Sequence, residues 1–168
     1  MPSDAFAADG DVTSTVEINS STTNGPVLTN SDFFGTSIAN IGDLNGDGVN
    51  DIAVGANGDD MDENDNASGG TNRGALHIMF MNTDGSVDST VEINDSTTNG
   101  PVLDDNDYWG RSIANIGDLN GDGVNDIAVG AAGDDRCANN DNDCWDSGAI
   151  HIMFMNTDGS IDSTVEIN

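Results

Sequence analysis

Twenty consecutive residues, SIANIGDLNGDGVNDIAVGA, stand at positions 37–56 and again, unchanged, at 112–131. The duplication reaches well beyond them. Residues 16–60 align with 91–135 at an offset of 75, differing at eight of 45 positions, and 74–90 align with 148–164 at an offset of 74, differing at two of 17. A chain repeated this closely must use one supersecondary unit twice, and each unit must bury its faces against a neighbour. The intervening stretches, MDENDNASGGTNR (61–73) and RCANNDNDCWDS (136–147), differ throughout. Variation confined to one place is expected of an exposed loop between fixed elements. The segment STVEIN occurs three times, starting at Ser14, Ser89 and Ser163, and its third copy ends the sequence. Two full units plus one extra copy of their last element read as a fragment of a longer array.

Within each unit the hydrophobic pattern is that of strands. Residues 37–41 alternate and stop at a glycine-rich loop. DIAVGA (51–56) is a short apolar run suited to a strand buried on both faces. ALHIMFM (75–81) is a third strand, closed by the turn signal Asn82-Thr83-Asp84-Gly85. Residues 87–93 form a fourth, with Val87, Val91 and Ile93 on one face and Asp88, Thr90 and Glu92 on the other. No segment shows ten or more residues at helical period. An all-β chain with four antiparallel strands per unit reads as two β-propeller blades. The expected organisation is a tail over 1–11, an extra outer strand over 12–19, one blade over 20–94 and a second over 95–168.

The loop between the first two strands carries the chemistry. Counted from Asp43, oxygen-bearing side chains fall at positions one, three, five and nine of residues 43–51: Asp43, Asn45, Asp47 and Asp51. Val49, at position seven, can present its backbone carbonyl. Alternate residues converge on one point only where the backbone curls tightly, and Gly46 and Gly48 permit that curl. Three carboxylates, an amide oxygen and a carbonyl make a hard, all-oxygen cage that suits Ca²⁺ better than a transition metal or Mg²⁺. The same set recurs over 118–126 as Asp118, Asn120, Asp122, Val124 and Asp126. An EF-hand is excluded: its bidentate glutamate would fall on Val54, and strands follow where a helix is required. A plain Asx-turn loop would leave six carboxylates crowded at two points of an already anionic chain.

The succession Phe34-Gly35, Ser37-Ile38-Ala39, GDLNGDGVNDIAVGA and Gly74-Ala75-Leu76-His77-Ile78 resembles the FG-GAP repeat of integrin alpha-chain propellers and their prokaryotic relatives. The resemblance implies that this loop joins the first two strands of a blade and binds Ca²⁺ through the matched positions. Two positions depart from the pattern. The proline of Gly-Ala-Pro is Asn57 or Ala132, and the aromatic before the first glycine is Trp109 in the second unit. Ligand binding like an integrin's is not implied, because that depends on loops and partner chains absent from this sequence.

Charge narrows the partners. Thirty-one Asp and Glu stand against three Arg and no Lys, for a formal charge of −28. Nucleic acid and anionic membrane surfaces would be repelled, and no run of 18 apolar residues could span a bilayer. The first ten residues, MPSDAFAADG, lack the basic and apolar regions of a signal peptide. Cys137 and Cys144 are expected to form a disulfide, ahead of free thiols and of a zinc site, for which two more ligands are missing nearby. A disulfide with no lysine and much aspartate favours an extracellular or cell-surface location. His77 and His151 occupy one repeat position and read as packing residues. Acidic residues over 59–65 and 134–146 read as solvated faces before further cation sites. The aromatics Phe33-Phe34 and Tyr108-Trp109 read as packing between blades, while Trp145 is a candidate for an exposed sugar contact. No nucleophile elbow or acid–base pair stands out, so an enzyme is not expected.

Two blades cannot close a ring, since propellers need about four to eight. Blades this alike should accept one another across chains, so a homo-oligomer is expected, a trimer or tetramer giving six or eight blades. Nine strands would then exist for eight places, and a terminal STVEIN could complete a blade of the adjacent chain. The leading functional expectation is a calcium-binding structural or adhesive module. A lectin-like carbohydrate binder is the alternative, and an enzyme acting on polysaccharides comes last.

Overall fold

The computed structural model describes residue 12 and residues 14–59, 71–134 and 147–168. β1 (Phe34–Gly42), β2 (Asp51–Ala56), β3 (Ala75–Met81) and β4 (Val87–Ile93) form one antiparallel sheet in sequence order. β5 (Trp109–Gly117), β6 (Asp126–Ala131), β7 (Ala149–Met155) and β8 (Ile161–Ile167) repeat it strand for strand and register for register. These are the two four-stranded blades expected from the repeat. The β3–β4 hairpin turns where its sequence says it should: Gly85 donates to the Asn82 carbonyl at 3.0 Å, and Asp84 accepts the Ser86 N–H at 3.0 Å. Gly85 adopts a φ of 83°, open to glycine at no cost. The first strand begins earlier than alternation indicated. It reaches back to Phe34 through an irregularity between Phe34 and Ser37 that Gly35, at φ 89°, makes possible.

The expected extra outer strand over 12–19 does not form within the chain. Both sheets end at four strands, and residues 14–18 pair with neither. The physical reason is geometric. The segment lies against the face of the first blade, with Ile18 packed on Val54, Met79 and Val87, and so has no free strand edge beside it. Cys137 and Cys144, Trp145, and the acidic residues 60–65 and 135–146 lie outside the described residues.

The main core is the seam between the blades. Ala53, Leu76, Ile78, Phe80 and Ile93 of the first sheet meet Trp109, Val129, Met153, Met155 and Ile161 of the second. Trp109 is fully buried there, as expected for an aromatic packing between blades. Backbones approach closely at this seam: a Cβ on Gly55 would lie 2.0 Å from the Gly110 carbonyl oxygen, and one on Gly74 would lie 2.1 Å from that of Trp109. Ser37 Oγ donates to the Gly110 carbonyl at 2.6 Å, while Asn115 and Asn125 donate to the carbonyls of Asn40 and Ile41. Arg73 bridges Asp95 at 2.6 Å and Asp105 at 2.8 Å across the same junction.

Candidate metal centre

Residues 43–51 leave β1 at Gly42 and return to β2 at Asp51, a path that glycines at φ 78° (Gly46) and 92° (Gly48) allow. The loop winds around its own aspartates. Asp43 accepts the N–H of Gly46 at 2.8 Å and of Asp47 at 2.9 Å through Oδ1, and of Gly48 at 2.9 Å through Oδ2. Asp47 Oδ1 accepts Val49 N–H at 2.8 Å, and its Oδ2 takes the Asn45 amide at 2.9 Å. Asp51 is fully buried, and its two oxygens accept the N–H groups of Leu44 and Met81. Residues 118–126 reproduce every one of these bonds, with Asp126 bound to Leu119 and Met155.

The electrostatics of this arrangement are one-sided. Burial pushes the Asp51 carboxyl up from its ordinary value, the N–H bonds from Met81 and Leu44 pull it back, and the Asp47 charge raises it again. No Lys, Arg or His forms an ion pair with either loop among the described residues. Each carboxylate oxygen that accepts one N–H keeps a second lone pair. The donor set is all oxygen, anionic and glycine-hinged, and it fits a hard divalent cation. Asp43, Asn45, Asp47, Asp51 and the Val49 carbonyl would hold it in the first loop, and their five counterparts in the second.

The structure also assembles a group that sequence reasoning missed. Single ligand atoms of Asp134, His151 and Glu166 all lie within 4.8 Å of one another. Glu166 stands directly across the strand pair from His151, with 3.6 Å between Oε2 and Nε2. This group lies at the far end of β6 from the 118–126 loop, and its imidazole makes it a softer donor set. The β7–β8 register sets Glu166 against His151, Asp134 follows β6 beside β7, and no linear motif marks the group. The corresponding histidine of the first blade, His77, is fully buried edge-on to Phe34, and neither of its ring nitrogens has a hydrogen-bond partner among the described residues. Both histidines are therefore built into the strand interior, as expected of packing residues.

Residues 34–79 and 109–153 match the FG-GAP repeat, once in each blade. The chain belongs to the FG-GAP repeat family. Its FG-GAP blades are similar to integrin alpha-2 of Mus musculus, 34% identical over 109 residues that make up 65% of this chain and 8% of that protein. Integrin alpha-PS5 of Drosophila melanogaster is 31% identical over 60% of the chain and 9% of its own length. Integrin alpha-11 of Homo sapiens is 38% identical over 60% of the chain and 7% of its own length. The chain thus spans less than a tenth of the curated relatives it matches. Each FG-GAP match includes a complete loop of the kind described above, together with β1–β2 or β5–β6.

Proposed function

We propose that this chain is a calcium-stabilised structural and adhesive propeller module of a secreted or cell-surface protein, without catalytic activity, that assembles with copies of itself. The carrying observation is the twin loop. A fully buried Asp51 lies beside Asp47 at the root of a hairpin otherwise made of exposed carboxylates, and Asp126 repeats it. Bound Ca²⁺ offsets two of the three carboxylate charges in each loop and ties β1 to β2 and β5 to β6. The likeness to integrin alpha chains supports an adhesive setting at the cell surface.

Self-association is supported by the two faces a pair of blades leaves uncovered. Ile116, Leu119, Ile150 and Ile167 are exposed on the second blade, whereas their first-blade counterparts Ile41, Leu44, Leu76 and Ile93 are buried. Three or four copies would give six or eight blades.

Among the described residues the lectin-like alternative has one exposed aromatic to rest on, Phe33, which is 64% exposed rather than packed between blades as expected. Of the aromatics it needs, Trp109 is buried in the seam and Phe34 packs on the first sheet. The test is thermal melting with and without a chelator, run beside mass determination in solution. An unchanged melt would reject the calcium assignment. Turnover of acidic polysaccharides would reject the non-catalytic one.

A further inference from the structure

We infer that copies of this chain join head to tail, the outward face of the second blade of one copy seating the first blade of the next, and residues 14–19 of that next copy taking the outer-strand place of β8. The inference rests on the self-association proposed above and specifies its interface.

The N-terminal STVEIN already sits where an outer strand belongs. Val16 Cγ2 stands 3.5 Å from the Cβ position of Gly85, and Val91 Cγ2 of β4 stands 3.3 Å from that of Gly159, the equivalent glycine of the second blade. Ile18 packs on the cluster of Val54, Met79 and Val87, which Met81 also joins; Ile93 shares the seam core with Met153, Met155 and Ile161, the counterparts of Met79, Met81 and Val87 one unit on. The link that follows is repeated bond for bond. Thr22 and Gly25 donate to the Asn19 and Thr22 carbonyls as Thr97 and Gly100 donate to those of Asn94 and Thr97. The Asn24 carbonyl accepts Thr90 Oγ1 at 2.8 Å, as the Asn99 carbonyl accepts Thr164 Oγ1 at 2.7 Å. Residues 14–25 therefore stand to the first blade as residues 89–100 stand to the second. A strand place is held, and the blade behind it is missing.

The second copy's far face has the shape to supply that blade. An open depression of about 710 Å³ is lined by Arg111, Ser112, Gly130, Gly148, Ile150 and Ile167. In the first blade the counterparts Ser37, Gly55 and Gly74 meet the Trp109–Gly110 backbone at that place. The piece that would enter the depression is Phe34–Gly35, and a Cβ on Gly35 would meet nothing within 4 Å. Ser112 of the copy that offers this face would then donate to the Gly35 carbonyl of the copy seated on it.

Charge agrees on both sides at once. Within the chain, Arg73 is matched by Asp95 and Asp105. Their counterparts at the junction between copies are Ser147, Ser20 and Asn30. A cation and both its anions are replaced together, so closing the faces strands none of these three charges, and Arg111 is the charged side chain that the seat retains. Because STVEIN is identical at both termini, β8 and residues 14–19 offer β7 the same ladder. Residues 14–19 continue covalently into the neighbouring blade, as β4 does within the chain.

Two measurements test this. Chains carrying Val16→Cys are mixed with chains carrying Ile152→Cys and treated with a short thiol-reactive crosslinker in calcium, with unsubstituted chains controlling for Cys137 and Cys144. Ile152 faces Val165 in the β7–β8 register, so Val16 in that place makes the mixed crosslinked dimer the main product. An oligomer that gives no mixed crosslink above the control overturns the strand exchange while leaving self-association standing. A monomer in light scattering overturns both. The second variant is Gly130→Ala, whose Cβ meets only the rotatable Ser112 hydroxyl inside the chain, whereas the equivalent Gly55 faces a carbonyl across the seam. The expected result is a folded monomer by circular dichroism and light scattering. Retention of the full oligomer would overturn the head-to-tail face.

Discussion

The buried carboxylate of Asp51 accepts the backbone N–H of Met81 at 3.0 Å, joining the start of β2 to the end of β3. Its other oxygen holds Leu44 N–H at 2.9 Å, so one side chain fastens the 43–51 loop to the sheet. Asp51→Asn leaves one of these two N–H groups facing an amide donor. The expected cost is about 2 kcal/mol in chelator, read from urea unfolding, because a buried donor goes unpaired. In calcium the loss should be larger, since the loop also loses a charged ligand. Equal losses in the two conditions would remove Asp51 from the ligand set.

Calcium should shift the stability of the whole module. A ligand at 100 times its dissociation constant adds roughly 2.7 kcal/mol per site to a chain that binds it only when folded. Two loops then separate the calcium and chelator melts widely. With a charge of −28, the chelated protein should also regain stability as NaCl is raised, while the calcium-loaded protein responds less. A chelated melt indifferent to salt would contradict the repulsion on which this expectation stands.

His77 should give the fold an acid limb. Burial lowers its pKa from the ordinary 6.5 to about 4, with Asp32 opposing the shift, so the folded chain keeps it neutral where the unfolded chain takes up a proton. The contribution is complete above pH 6.5 and declines as pH falls toward 4, amounting to about 3 kcal/mol. The raised carboxyl of Asp51 works in the opposite direction. The difference between wild type and His77→Leu isolates the histidine. The variant should match or exceed wild type at pH 7.5 and gain on it steadily down to pH 4.5. A constant difference across that range would refute the buried neutral imidazole.

The triple change Arg73→Ser, Asp95→Ser, Asp105→Asn rebuilds the within-chain junction in the form found at the chain's outer faces. Arg73 and Asp105 are partly exposed, and ion pairs of this kind contribute about 0–1 kcal/mol. The expected stability change at 150 mM salt is within about 1 kcal/mol. Arg73→Ser alone should cost more than the triple, because it leaves Asp95 and Asp105 facing each other without a cation.

The strand boundaries were legible because each is punctuated: Gly42 before the loop, Asn82–Gly85 at the hairpin, a β-branched run between them. The true start of β1 at Phe34 was not, because a bulge at Gly35 breaks the alternation that marks a strand. The oxygen-bearing positions of each loop were legible as a candidate ligand set since they lie within nine residues, where spacing fixes geometry. Asp134, His151 and Glu166 escaped notice because they are brought together by the cross-strand register, which no local pattern encodes. The N-terminal STVEIN shows the limit most clearly. Its strand propensity is that of β4 and β8, yet it pairs with nothing, since a strand exists only where a partner edge lies beside it.

The sequence by itself determined the unit: four strands, a calcium-type loop at a fixed offset, and the repetition of both. Local spacing and backbone stereochemistry suffice for these, and they act over a few residues. The tertiary structure alone decided which copy of each repeated residue is buried. Ile93 and Ile167 belong to the same sixfold word, but one lies in a seam and the other faces solvent. That difference comes from neighbours, because burial is a property of what packs against a surface and not of the surface's own residues.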